Sequence, residues 1–174
     1  MHLMFHISRY IQRIHDMLAQ RGPAVHFDIH GYTFHNADNW TEIGYNFRGG
    51  VLNANQLDPT VSSIQALARR VDNFTSLVSG DDSLGKLIQE QGLRTAPSPQ
   101  YPRPNATEEG RPGKYFGGGY ITRKWGSLEG GEIDCVQIEF PQWLMNATEY
   151  YGPKLGKAMA TWIVKHYPEP YNLD

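Results

Sequence analysis

Cysteine is nearly missing from this chain of 174 residues: Cys135 stands alone, so no disulfide can form within it. A single thiol by itself leans towards a reducing compartment, although a chain this long can bury a core without bridges. An excess of positive charge is missing too. Sixteen Lys and Arg stand against eighteen Asp and Glu, for a formal charge of −2, which excludes general nucleic-acid binding through a basic face. No apolar run approaches the ~18 residues of a membrane helix, so the chain reads as soluble, with no membrane partner. The opening Met1-His2-Leu3-Met4-Phe5-His6 has no basic stretch followed by an apolar run, and so is no signal peptide. There is no internal repeat and no glycine-proline period. With 40% apolar and 20% charged residues, disordered and fibrous classes are excluded, leaving a single globular domain over residues 1–174.

Asparagine supplies the first positive signal. Asn39-Trp40-Thr41, Asn73-Phe74-Thr75, Asn105-Ala106-Thr107 and Asn146-Ala147-Thr148 all fit the glycosylation acceptor pattern. About one match is expected by chance for this composition, so the four favour a secreted glycoprotein modified at Asn39, Asn73, Asn105 and Asn146.

Hydrophobic periodicity sets the layout. Leu3, Ile7, Tyr10, Ile11, Ile14 and Leu18 predict a helix over residues 3–20, stopped by Gly22-Pro23. Residues 24–30 alternate as a strand, with Val25, Phe27 and Ile29 on one face and His26, Asp28 and His30 on the other. A short strand is predicted at 43–47, closed by Gly49-Gly50. A helix should begin at Asp58-Pro59-Thr60 and run to Val71, and another should cover Ser83 to Gln91, capped by Asp82. Residues 93–113 hold five prolines and read as a long irregular loop. A second clear strand, Ile133 to Phe140, puts Cys135, Gln137 and Glu139 on one face; a last helix spans Pro153 to His166. This order predicts an α/β domain built as a three-layer mixed sheet with helices on both faces.

Two groups of residues can carry chemistry. His26, Asp28 and His30 converge near a strand end that runs into Gly31, and imidazoles with a neighbouring carboxylate suit zinc, with His35 five residues on. Glu139 sits among apolar neighbours near its strand's end. It is either a salt-bridge partner or a general base, with Arg123 and Lys124 available as charge partners or as a grip for an anionic substrate.

The stretch Phe27-Asp28-Ile29-His30-Gly31-Tyr32, followed by Glu42-Ile43-Gly44-Tyr45, resembles the signature of N-formylglutamate amidohydrolase-like proteins. The glycine-rich Tyr115 to Arg123 and the strand Val136-Gln137-Ile138-Glu139 resemble two further segments of that family, in the same order. The resemblance implies a zinc-exopeptidase-like fold and hydrolysis of an amide bond by a metal-activated water. It makes His30 a zinc ligand, Glu139 the general base and acid, and Arg123 a residue of the substrate side. It also implies an upstream His-x-x-Glu carrying two further ligands, which this numbering does not contain; the fold then reads as truncated at its N-terminus. Three expectations follow. A second chain or an N-terminal segment completes an amidohydrolase; or the chain is a secreted, non-catalytic binding or matrix protein that assembles with itself or with others; or His26, Asp28, His30 and His35 make a remodelled metal site.

Overall fold

The protein is described by a computed structural model covering residues 2–33, 40–104 and 115–167. Asn39, Asn105, His35 and most of the proline-rich loop's second half lie outside the described residues. Helix α1 (His2–Leu18) forms over the expected residues, but Tyr10 and Ile14 of its apolar stripe are exposed. Gly22, at φ 108°, reverses the chain into β1 (Ala24–Tyr32) in a conformation that favours glycine.

Strand β2 (Thr41–Gly44) starts two residues earlier than its sequence suggests. The chain leaves the ladder because Asn46 turns to φ 69° and its N–H bonds Gly117 O at 2.6 Å, pairing with the glycine-rich segment instead of a strand. Helix α2 (Gly49–Asn53) follows. The helix expected from Asp58 to Val71 is split. Asp58 caps only the 3₁₀ turn Pro59–Val61, and α3 (Gln65–Ala68) begins afresh. Between them Ser62 and Ser63 turn their hydroxyls onto Tyr45 O (3.1 Å) and Cys135 O (2.6 Å), so side-chain bonds displace the helical ladder.

Helix α4 (Phe74–Ser79), unforeseen, is capped by Asn73, whose Oδ1 accepts from Ser76 N at 3.0 Å. Helix α5 (Leu84–Glu90) is capped by Ser83, one residue after the expected Asp82. Asp82 instead accepts from Ser76 Oγ (2.7 Å) and Lys165 Nζ (2.6 Å), which hold its carboxyl below the usual range. Strand β3 (Thr95–Ala96) lies inside the proline-rich segment. After α6 (Tyr120–Trp125) comes β4 (Ile133–Pro141), then α7 (Gln142–Asn146) and α8 (Thr148–His166). Helix α8 starts five residues before the expected Pro153, which sits inside it. Helices as short as α2, α4 and α6 span less than two turns and leave no periodic signal in sequence.

The four strands form one mixed sheet in the order β1-β4-β2-β3, with β4 parallel to β1 and antiparallel to β2. The structure is therefore mixed α/β. One sheet face, carrying Phe27, Val136 and Ile138, packs on α8 through Trp162, whose ring lies 6.1 Å from that of Phe27. Ile43, Leu67, Leu77, Leu84, Ile88 and Trp162 are fully or almost fully buried in this core. Among the described residues no helix is long and apolar enough to cross a membrane.

Helix α1 docks on the opposite face through His15, whose Nε2 lies 3.2 Å from His26 Nδ1, with the Trp125 ring 5.1 Å away. Such a pair needs one donor and one acceptor nitrogen, so it cannot hold two charges. Burial first, then His26, lowers the His15 pKa to about 4, and burial lowers that of His26 against the pull of Asp28. A depressed imidazole pKa gives stability that is complete above pH ~6.5 and is lost as pH falls towards 4. Wild type should therefore lose about 2 kcal/mol more than His15→Gln between pH 7 and 4.5, measured by denaturant titration at both pH values. Equal losses would remove His15 as the acid-sensitive group.

Candidate functional site

The parallel pairing sets Asp28 beside Gln137 and His30 beside Glu139, and the antiparallel pairing sets Glu42 beside Glu139. Register partners share a face, so His30, Glu139 and Glu42 form one row across three strands, with Asp28, Gln137 and Gly44 in the row behind. The row lies at the carboxyl end of the parallel pair, where open α/β sheets place ligands.

Its polarity is graded. The side chain of His30 is 46% exposed, while Glu139 and Glu42 are 6% and 1% exposed, so solvent reaches the row from the β1 side. Burying a carboxylate among Ile138 and Phe140 is costly without partners. Gln137 Nε2 donates to Glu139 Oε1 at 2.9 Å, and Phe116 N donates to Glu42 Oε2 at 2.8 Å. On β1, His30 Nε2 lies 3.0 Å from Asp28 Oδ2, which fixes the ring and leaves Nδ1 without a partner among the described residues. A carboxylate behind an imidazole is the arrangement that orients a metal-binding histidine.

The glycine-rich segment walls the row. A Cβ on Gly44 would lie 2.6 Å from the Gly117–Gly118 peptide, and one on Gly119 would lie 3.0 Å from Gln137 Oε1. A Cβ on Gly117 would lie 1.6 Å from Phe47 O, a backbone atom with no room to yield. Gly117→Ala should therefore cost about 3 kcal/mol by forcing the segment off β2, read as a lower denaturation midpoint. A change under about 0.5 kcal/mol would mean that the segment moves freely.

The expected site residues do not all converge. Glu139, His30 and Asp28 stand together. His26 is turned to His15, with Nδ1 engaged there. Arg123 is exposed on α6, where it lines a cavity with Arg48, and Lys124 lies over the Trp125 ring at 4.9 Å. Cys135 is fully buried and burial pushes its thiol pKa up, so it is no nucleophile. Asn73 and Asn146 are exposed, with Oδ1 accepting from Ser76 N and from Gln142 Nε2 at 2.9 Å; each Nδ2 is free of those bonds. Among the described residues no three His, Cys, Asp or Glu side chains are placed to hold a metal ion together. Glu42 is the member of the row that the candidate residues omitted. Its signal was the alternation Glu42-Ile43-Gly44, which puts a carboxylate and a glycine on one strand face.

Compared with models of protein families, with curated proteins and with solved structures, the chain matches none.

Proposed function

We propose that this chain, completed by a further segment or a second chain, hydrolyses the C–N amide bond of a small acylated amino acid or peptide, with Glu139 as general base and then general acid. The observation that carries this reading is the row His30–Glu139–Glu42, which is buried at Glu139 and open to solvent at His30. Glu139 takes a proton from water as its oxygen attacks the acyl carbon. The same proton then passes to the departing nitrogen, and the products are a carboxylic acid and an amine. Gln137 aims the Glu139 carboxylate, and Gly119 leaves it room to do so.

The same reading takes the mixed sheet as part of a three-layer, zinc-exopeptidase-like fold. His30 suits zinc as one ligand, because Asp28 holds its Nε2 and leaves Nδ1 without a partner among the described residues. A zinc site needs at least three protein ligands, and the described residues do not supply them. The others would come from a further segment or a second chain, and no step above is routed through the ion.

A panel of N-formyl, N-acetyl and N-succinyl amino acids, assayed for amine release with and without added zinc, tests the proposal. Release that disappears in Glu139→Gln supports it; release that persists in Glu139→Gln overturns it. The exposure of Asn73 and Asn146 favours a second reading, a secreted glycoprotein that binds without catalysis. Unmodified asparagines in protein from a secretory host, seen by mass spectrometry, would remove that reading.

A further inference from the structure

The row His30–Glu139–Glu42 is not the last of the sheet. One step further along the parallel pair, Tyr32 stands beside Pro141, and period two puts Tyr32 on the face of His30. The Tyr32 hydroxyl donates to Trp40 O, two residues before Glu42, so its ring is tied to the chain entering β2. Phe116 reaches the same place from the glycine-rich segment. Its N–H holds Glu42 Oε2 at 2.8 Å, which fixes its backbone against the row, and its side chain is left 39% exposed. The Tyr32 and Phe116 rings lie 6.4 Å apart, tilted by 44°, at the separation of a packed aromatic pair. Two rings thus border the row, one pinned by its hydroxyl and the other by its own amide.

A phenyl ring left partly in water beside a polar row keeps apolar surface that a ligand can cover. A second ring laid on it gains that burial, together with the tilted or offset contact that aromatic pairs favour. An acidic group in the same place gains neither, and it meets two carboxylates, Glu139 and Glu42, of its own charge. We infer that Tyr32 and Phe116 form the specificity subsite of the row and receive an aromatic group carried by the amide substrate. The inference rests on the hydrolytic reading of the row and narrows its substrates to amides of aromatic character. The ring belongs either to the amino-acid side chain or to the acyl group, since both present the same surface to Phe116.

Calorimetric titration of the full chain with N-acetylphenylalanine, phenylacetylglycine, N-acetylalanine and N-acetylglutamate tests the subsite. All four carry an α-carboxylate, so differences among them report the remaining groups. The titrations are made on Glu139→Gln, which removes proton transfer, and repeated on wild type. At least one aromatic ligand should bind roughly tenfold or more tightly than N-acetylalanine and N-acetylglutamate. The tighter of the two aromatic ligands tells on which side of the amide bond the ring sits. Phe116→Ala should weaken that ligand about fivefold or more at unchanged circular dichroism, because the side chain is exposed. Phe116→Leu, which keeps an apolar surface, should recover most of the loss. No saturable binding of either aromatic ligand, N-acetylglutamate binding as tightly as both, or unchanged affinity in Phe116→Ala overturns the inference. Amine release that persists in Glu139→Gln strikes the hydrolytic reading instead, and leaves the aromatic preference standing as a property of binding.

Discussion

Glu139→Gln is expected to lower the turnover number about 10²- to 10⁴-fold, the range over which a positioned acid–base group acts. The exchange keeps the side chain's size in a position that is 6% exposed. The bond from Gln137 Nε2 survives, because an amide oxygen accepts it as the carboxylate did at 2.9 Å. What disappears is the capacity to take and return a proton. KM should therefore stay within about threefold while kcat falls, the pattern of a group needed in the transition state and not for binding. Glu42→Gln is the control, since its amide oxygen can still accept from Phe116 N, and its loss should be at least tenfold smaller. If the two variants lose activity equally, or Glu139→Gln stays within threefold of wild type, Glu139 is not the base.

The largest loss of stability is expected at the other end of the same strand. Asp134 is fully buried, on the face opposite to Glu139. Its carboxylate accepts from Ala66 N (3.1 Å), Leu67 N (3.0 Å), Tyr167 Oη (2.7 Å) and Ser127 Oγ, with Arg70 at 3.9 Å. One side chain thus ties the start of α3, the loop before β4 and the end of α8 together. Asp134→Ala leaves several of these donors buried without acceptors and should cost about 4 kcal/mol or more, measured by denaturant unfolding. Asp134→Asn, with one acceptor oxygen in place of two, should cost roughly half as much.

Burial raises the Asp134 pKa to about 6, against the Ser127, Tyr167 and Leu67 hydrogen bonds and the Arg70 charge, which lower it. A raised carboxyl pKa gives stability that is complete below pH ~4 and is lost as pH rises through 6. The gap between wild type and Asp134→Asn should therefore widen by up to about 3 kcal/mol as pH falls from 7 to 4. An Asp134→Ala protein within 1 kcal/mol of wild type would mean that the tie carries little.

Both long strands and the face shared by His26, Asp28 and His30 were legible because period-two alternation is a local property of the chain. Glu139 was legible for a similar reason: a carboxylate among Ile138, Phe140 and Pro141 conflicts with its neighbours. Glu42 was not, since its meaning depends on a pairing with a residue 97 positions away, 139 − 42. The separation of His26 from Asp28 and His30 was hidden too, because it is α1 that turns the His26 ring towards His15. Asp134 looked like an ordinary strand residue. Its five partners come from three other segments, and nothing within the strand signals them. The packing of Gly44 on Gly117 is a contact between two segments that each show only a glycine in sequence.

The central position of β4 has an evolutionary consequence. Asp134 and Glu139 are an odd number of residues apart on one strand, so they face opposite sides of the sheet. Deleting or inserting a single residue between them would turn Glu139 towards Trp162 or Asp134 out of its pocket, and no one substitution elsewhere would restore both. Lineages of this chain are therefore expected to vary freely in length around Glu132 and before β2, and to keep the spacing within β4 fixed even where the chemistry at residue 139 has been lost.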